Sequence, residues 1–159
     1  MKTLVVYDSF FGNTAKVAEA IGAALAPAAE VTVVKVADVT PQHLQGVQML
    51  FVGSPTRAFR PSPAISSFLA GLPANGLQGV RVAAFDTRTV IDANTPGFLR
   101  FMVKLFGWAA KPIAKRLTGK GGQLALTPEG FSVRESEGPL IEGELERAAQ
   151  WARGILQAS

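Results

Sequence analysis

The first 25 residues leave few folds open. Leu4-Val5-Val6-Tyr7 is a short apolar run of the kind that forms a buried strand. After Asp8, Ser9-Phe10-Phe11-Gly12-Asn13 follows as a turn. From Thr14 to Leu25 the apolar residues then recur at helical spacing, with Val17, Ala18, Ile21, Ala24 and Leu25 on one face. Ala26-Pro27 ends that helix. A strand that passes through one tight turn into an amphipathic helix is the opening half of a βαβ unit.

The turn carries chemistry as well as direction. A helix N-terminus presents unpaired N–H groups and roughly half a positive charge. Ser9, Asn13 and Thr14 add side-chain donors there, and no acidic side chain lies inside the turn. Such a point suits a phosphate, and Gly12 would let the backbone approach it closely. The same residues also have a plain reading. Asn13 and Thr14 are ordinary helix caps, and glycine is common in a tight turn.

The alternation continues along the chain. Val31–Val36 reads as a β-branched strand. Asp38–Gln45 holds a short helix with Thr40 as cap and Pro41 at its first position. Val47–Val52 is a third strand, apolar enough to be buried on both faces. Gly53-Ser54-Pro55-Thr56-Arg57-Ala58-Phe59-Arg60-Pro61 holds three breakers and is expected to be a loop without regular structure. Ser62–Leu72 is a helix, Val80–Phe85 a fourth strand and Asp86–Pro96 a polar loop. Gly97–Thr118 is helical in pattern, broken near Gly107 or Pro112. Gln123–Leu126 is a fifth strand, with Thr127-Pro128-Glu129-Gly130 as a turn and Phe131-Ser132-Val133 as an extension. Pro139–Gln157 is a last helix, with Ile141, Leu145, Ala148, Ala149, Ala152, Ile155 and Leu156 inward. Five strands alternating with five helices imply a parallel sheet covered on both faces. With 159 residues, 48% of them hydrophobic, the chain can build one real core. A single domain over residues 1–159 is expected.

Ser9-x-Phe11-Gly12-x-Thr14, directly after the first strand, resembles the flavodoxin signature, roughly Thr/Ser-x-Thr/Ser-Gly-x-Thr. Phe11 departs from it, since it brings no hydroxyl. The aromatic followed by Gly12, Asn13 and Thr14 looks more like the variant in flavo-diiron proteins and flavodoxin-like quinone reductases. The resemblance implies a flavodoxin-like, doubly wound α/β fold: a five-stranded parallel sheet of order 2-1-3-4-5 with helices on both faces. It also implies FMN, bound in the crevice above strands 1, 3 and 4. Ser9, Phe10, Phe11, Gly12, Asn13 and Thr14 would wrap its phosphate. Pro55, Thr56, Arg57 and Phe59, after the third strand, would lie against one face of its ring, with Phe59 as the aromatic candidate and Arg57 or Arg60 at the ring edge. Asp86, Thr87 and Arg88, after the fourth strand, would line the other side, with Arg88 placing positive charge near the ring. That loop has no aromatic, so a second stacking residue is missing unless Phe98 or Trp108 folds back. The run from Gln123 to Leu156 has the layout of short-chain flavodoxins.

Charge is uneven. Residues 1–80 carry +1, residues 81–127 carry +6 and residues 128–159 carry −3. Arg100, Lys104, Lys111, Lys115, Arg116 and Lys120 fall between Asp92 and Glu129 with no acid among them, interleaved with Phe98, Phe101, Phe106 and Trp108. Three readings compete for residues 97–120: a core-packing helix with a basic outer face, a partner or homodimer surface, and contact with an anionic membrane surface. Nucleic acid is not expected, because too much aliphatic surface interrupts any phosphate track.

The absences narrow the chemistry. Without cysteine there is no disulfide, thiolate metal site or cysteine nucleophile. The one histidine, His43, sits in a polar helix and is expected to be solvated, so neither a catalytic triad nor a histidine metal site is expected. Gly119-Lys120-Gly121 is not a phosphate-loop lysine. Glu142, Glu144 and Glu146 suit the start of the last helix. No signal-peptide layout or membrane span is visible, so a cytoplasmic protein is the expectation. The resulting reading is an FMN-binding electron carrier with redox partner proteins, no catalytic residue and no metal. The alternatives are a flavin-free binding module acting through residues 97–120 and a small FMN-dependent quinone or flavin reductase.

Overall fold

The computed structural model describes residues 1–91, 93–135 and 137–157, with the side chain of Phe106 also left aside. Its elements are β1 (Lys2–Tyr7), α1 (Asn13–Leu25), β2 (Glu30–Lys35), α2 (Pro41–Leu44), β3 (Met49–Pro55), α3 (Pro63–Gly71), β4 (Arg81–Thr89), α4 (Gly97–Phe106), α5 (Ala110–Gly119), β5 (Gln123–Leu124), β6 (Glu129–Val133) and α6 (Glu144–Arg153). The sheet is parallel, in the order β2-β1-β3-β4 with β5 and β6 sharing the last place beside β4. That is the expected 2-1-3-4-5 order.

Each face of the sheet buries its own core. Val5, Met49, Phe51, Ala83 and Phe85 meet Val17, Ile21 and Leu25 of α1 and Ala148 and Ala152 of α6. Leu4, Val6, Leu50, Val52, Val82 and Ala84 meet Ile65 and Leu69 of α3 and Ile113 and Leu117 of α5. The near-continuous apolar runs of β1, β3 and β4 follow from burial on both faces.

Several elements differ from the sequence reading. β3 runs on through Gly53-Ser54-Pro55, because these pair with Phe85, Asp86 and Thr87 of a longer β4. Proline is tolerated there, at the strand's last position. Asp86–Thr89 is strand rather than loop, since Glu129–Val133 runs alongside it. The fifth strand is therefore two pieces, and its upper piece begins at Glu129, where a turn was expected. The last helix starts at Glu144 rather than Pro139, and Leu145 faces solvent. Trp151, absent from the expected inward set, packs edge-on against Phe51, Phe85 and Phe131 at 5.7, 6.2 and 6.0 Å. Its indole N–H donates to the Thr127 carbonyl at 3.0 Å. His43 is half-buried and structural: its Nδ1 accepts the Thr40 N–H at 2.9 Å and caps α2. The long helical pattern does break at Gly107, whose φ of 74° ends α4.

Candidate functional site

The upper ends of β1, β3 and β4 open onto one cleft of about 410 Å³, within the range of a small-molecule site. Ser9, Phe10, Phe11, Asn13 and Thr14 line one end. Pro55, Thr56, Arg57 and Ala58 line one side, Thr87, Arg88, Thr89 and Val133 the other, and Trp108 completes the wall.

The first end is built around the start of α1. Gly12 is the residue before the helix, at φ 91°, a left-handed conformation that side chains with a Cβ adopt only under strain. Ser9 Oγ accepts the N–H of Gly12 at 3.0 Å and of Ala15 at 3.4 Å, which folds the loop onto the helix start. Asp8 accepts the N–H of Ser9 at 2.9 Å. Asn13 and Thr14 are not caps but the first two helical residues, so their own N–H groups have no acceptor within the helix. Their side chains are committed elsewhere. Asn13 Nδ2 donates to the Glu137 carbonyl at 3.1 Å, and the Thr14 and Thr87 hydroxyls share a buried hydrogen bond of 2.8 Å. The first turn of α1 carries no acid. Backbone N–H groups, rather than the Asn13 and Thr14 side chains, are thus the main donors facing an anion.

The side after β3 is a tight hairpin. Arg57 and Arg60 exchange two N–H···O bonds of 2.9 Å, with Ala58 (φ 48°) and Phe59 (φ 67°) between them. A two-residue turn with both central residues left-handed normally carries Asn-Gly. Alanine and phenylalanine there hold local strain, of the kind that gathers at functional loops. The Arg57 guanidinium lies over the exposed Phe10 ring, 4.8 Å from its centre, and so joins the hairpin to the first loop.

The β4 side rests on a buried carboxylate. Asp86 is fully buried, and Arg88 grips it with two hydrogen bonds of 2.7 Å. The Ala110 N–H, at the start of α5, donates to the same carboxylate at 2.8 Å. Burial pushes the Asp86 carboxyl up, while Arg88 and the Ala110 N–H pull it back toward ionisation. A Cβ on Gly130 would fall 1.9 Å from Arg88 Nε, so that glycine leaves the guanidinium its place. Arg88 stacks over the Trp108 ring, 4.7 Å from its centre. The Ala109 N–H donates to Thr56 Oγ1 at 3.3 Å. Trp108, projected from the break between α4 and α5, is thereby held against the cleft from both sides.

Three residues of the expected set stand apart from the cleft lining. Asp86 lies beneath it, Gly12 behind the loop, and Phe59 turns to an adjoining hollow shared with Leu99, Val103 and Trp108. Arg88 lines the cleft, but its charge is paired with Asp86 rather than free to face a ring. Trp108 supplies the aromatic that the β4 strand lacks; Phe98 points to solvent. Ala58, Thr89 and Val133 were outside the expected set, because the hairpin turn brings Ala58 to the rim and strand register brings Thr89 and Val133 there. Among the described residues no cluster of metal-binding side chains occurs and no helix is long and apolar enough to cross a membrane.

The family model described as flavodoxin matches residues 5–151. No curated protein sequence matches the chain. Among solved structures, an archaeal flavodoxin is 23% identical with a TM-score of 0.74, over 99% of this chain and 97% of that one. Oxidised flavodoxin 2 from Bacillus cereus is 21% identical with a TM-score of 0.75, over 99% of both chains. The rubredoxin oxygen:oxidoreductase of Desulfovibrio gigas is 20% identical with a TM-score of 0.73, over 98% of this chain but 35% of that one. At these identities the structural likeness speaks for the fold.

Proposed function

The chain belongs to the flavodoxin family, and we propose that it binds FMN in the cleft above β1, β3 and β4 and works as an electron carrier. Bound FMN supplies the redox chemistry, accepting and giving up electrons; the protein supplies binding and environment. One observation carries the reading. The cleft joins a helix start free of acids at one end to an immobilised indole at the other. A phosphate with a flat aromatic ring needs those two ends, so the residues present fit the group.

The N–H groups of Phe10, Phe11, Asn13 and Thr14, with the Ser9 hydroxyl, would hold the phosphate. Phe11 contributes no hydroxyl, and Asn13 and Thr14 steady the loop through Glu137 and Thr87. Pro55, Thr56, Arg57 and Ala58 would bound one side of the ring and Thr87, Thr89 and Trp108 the other. An aromatic against the ring contributes about 0.5–1.5 kcal/mol beyond burial. Arg88, neutralised by Asp86, would orient Trp108 rather than put charge on the ring. In this reading the carrier's partners are redox proteins. A cytoplasmic location is part of the proposal.

The test is titration of the purified apoprotein with FMN, read by flavin fluorescence. Saturable quenching that weakens about tenfold or more in Phe11→Asp supports the reading, a change of about 1.4 kcal/mol. Phe11 is half-exposed, so this variant leaves the fold intact while placing negative charge at the phosphate end. Absence of binding at tens of micromolar FMN, on the order of −6 to −7 kcal/mol, overturns it.

A further inference from the structure

Helix α4 stands beside the cleft with its broad side uncovered. Phe98, Phe101 and Leu105 are 70%, 60% and 62% exposed. At spacings of three and four residues they form one stripe. Leu99 and Val103, on the inner side, meet Trp108 and Phe59 in the hollow that adjoins the cleft. Arg100 and Lys104, one turn apart, flank the stripe and are exposed. Lys111 and Lys115 on α5 and Arg57 and Arg60 on the hairpin are exposed as well, and Arg60 shares a hollow with Met102 of α4. No acid occurs between Asp92 and Glu129. Three large apolar side chains at this exposure mark an interaction surface.

Charge decides among its occupants. A second copy would set Arg100 and Lys104 of one chain near those of the other, and like charges across an interface cost several kcal/mol. A bilayer surface matches the charge but gives an electron carrier nothing to exchange with. An acidic protein matches both the charge and the role. A central aromatic stripe with a cationic rim is also the common anatomy of a protein interface.

We infer that the α4 face docks an acidic electron-transfer protein, seating it against the Trp108 side of the cleft. The inference rests on the electron-carrier reading above and deepens it by naming the kind of partner. Apolar contact with Phe98 and Phe101 holds the complex, and Arg100, Lys104 and Lys111 steer its approach.

The experiment uses the FMN-loaded protein and two probes of opposite charge, an acidic two-iron ferredoxin and the basic cytochrome c. Binding is measured by calorimetric titration at low and high ionic strength. The expected result is binding of the ferredoxin and not of the cytochrome, weakened about tenfold or more by salt. Arg100→Glu with Lys104→Glu should lower affinity about tenfold or more. Phe98→Ser with Phe101→Ser should lower it by a similar factor with less change in salt dependence. Flavin affinity should stay unchanged in both variants. The inference is overturned by preference for the cytochrome, or by ferredoxin binding that ignores both variants. Stripe-dependent binding to phosphatidylglycerol vesicles, or a dimer lost in Phe98→Ser with Phe101→Ser, overturns it equally. Failure to bind FMN at all removes the carrier reading, whereas intact flavin binding without α4-dependent docking removes only this inference.

Discussion

Helix α1 buries seven of its 13 residues, whereas α4 has none buried among its described side chains. The first lines the cleft and the second lines the hollow that adjoins it. The first is locked into the core by Val17, Ile21 and Leu25, and its leading residues are tied to Glu137 and Thr87. The second touches the body through Leu99 and Val103 and gives its aromatic stripe to solvent. Amphipathic periodicity is present in both, so periodicity alone does not say where an apolar face goes. A helix crossing back over the sheet finds a partner for its stripe; one inserted between a strand end and the next crossover need not. The contrast divides this region into a rigid end at the start of α1 and an exposed side along α4.

The largest effect should come from the rigid side. Ile21→Ala is expected to cost about 2–5 kcal/mol in urea unfolding, because the residue is fully buried between α1 and the sheet. A cost below 1 kcal/mol would break the comparison. At the boundary between the two sides, Asp86→Asn should cost about 2–3 kcal/mol, since an amide presents one acceptor oxygen where the carboxyl group accepts from Arg88 and Ala110 through two. In a Trp151→Phe background the same change should shift Trp108 emission toward that of a solvated indole. Unaltered emission would show that Asp86 does not position Trp108. Gly130→Ala should produce the same emission change at about 1–2 kcal/mol, by crowding Arg88.

The support beneath α1 is sensitive to pH. The Arg147 fork, with the Ser132 N–H, holds Glu144 below its ordinary 4.5. A carboxyl lowered in the fold stabilises above its ordinary value, and that contribution fades as pH falls through the lowered one. Acid titration of stability should therefore be shallower in Glu144→Gln, with a loss at neutral pH under about 1 kcal/mol. Asp86 acts in the opposite sense, since its carboxyl is raised. The smallest effect sharpens the comparison most. Phe98→Ser should leave stability within about 0.5 kcal/mol, as for a surface position that packs against nothing. A loss of 2 kcal/mol would show that the stripe is covered.

Much of the frame was legible because its signals are local. The strand-turn-helix of residues 4–25, the Thr40-Pro41 helix start and the break at Gly107 each follow from propensity and spacing within a few residues. The family signature added the sheet order, and the strand pairing bears that order out. The strand errors share one cause. Gly53–Pro55 and Asp86–Thr89 look like loop, yet the first is strand because β4 runs beside it and the second because β3 and β6 do. His43 looks solvated until Thr40 is seen to need an acceptor.

By itself, the sequence determined the alternation of elements, the glycine-containing turn before α1 and the basic, aromatic character of residues 97–120. Those are properties of neighbours along the chain. Only the tertiary structure decided that Thr14 bonds Thr87 across 73 residues, that Arg88 serves Asp86 and Trp108, that Phe59 leaves the cleft and that Trp108 enters it. The first two depend on which strands pair and in what register, the last two on how the hairpin and the break at Gly107 fold over the strand ends. Register is set by the whole buried sheet, not by the few residues that it brings together.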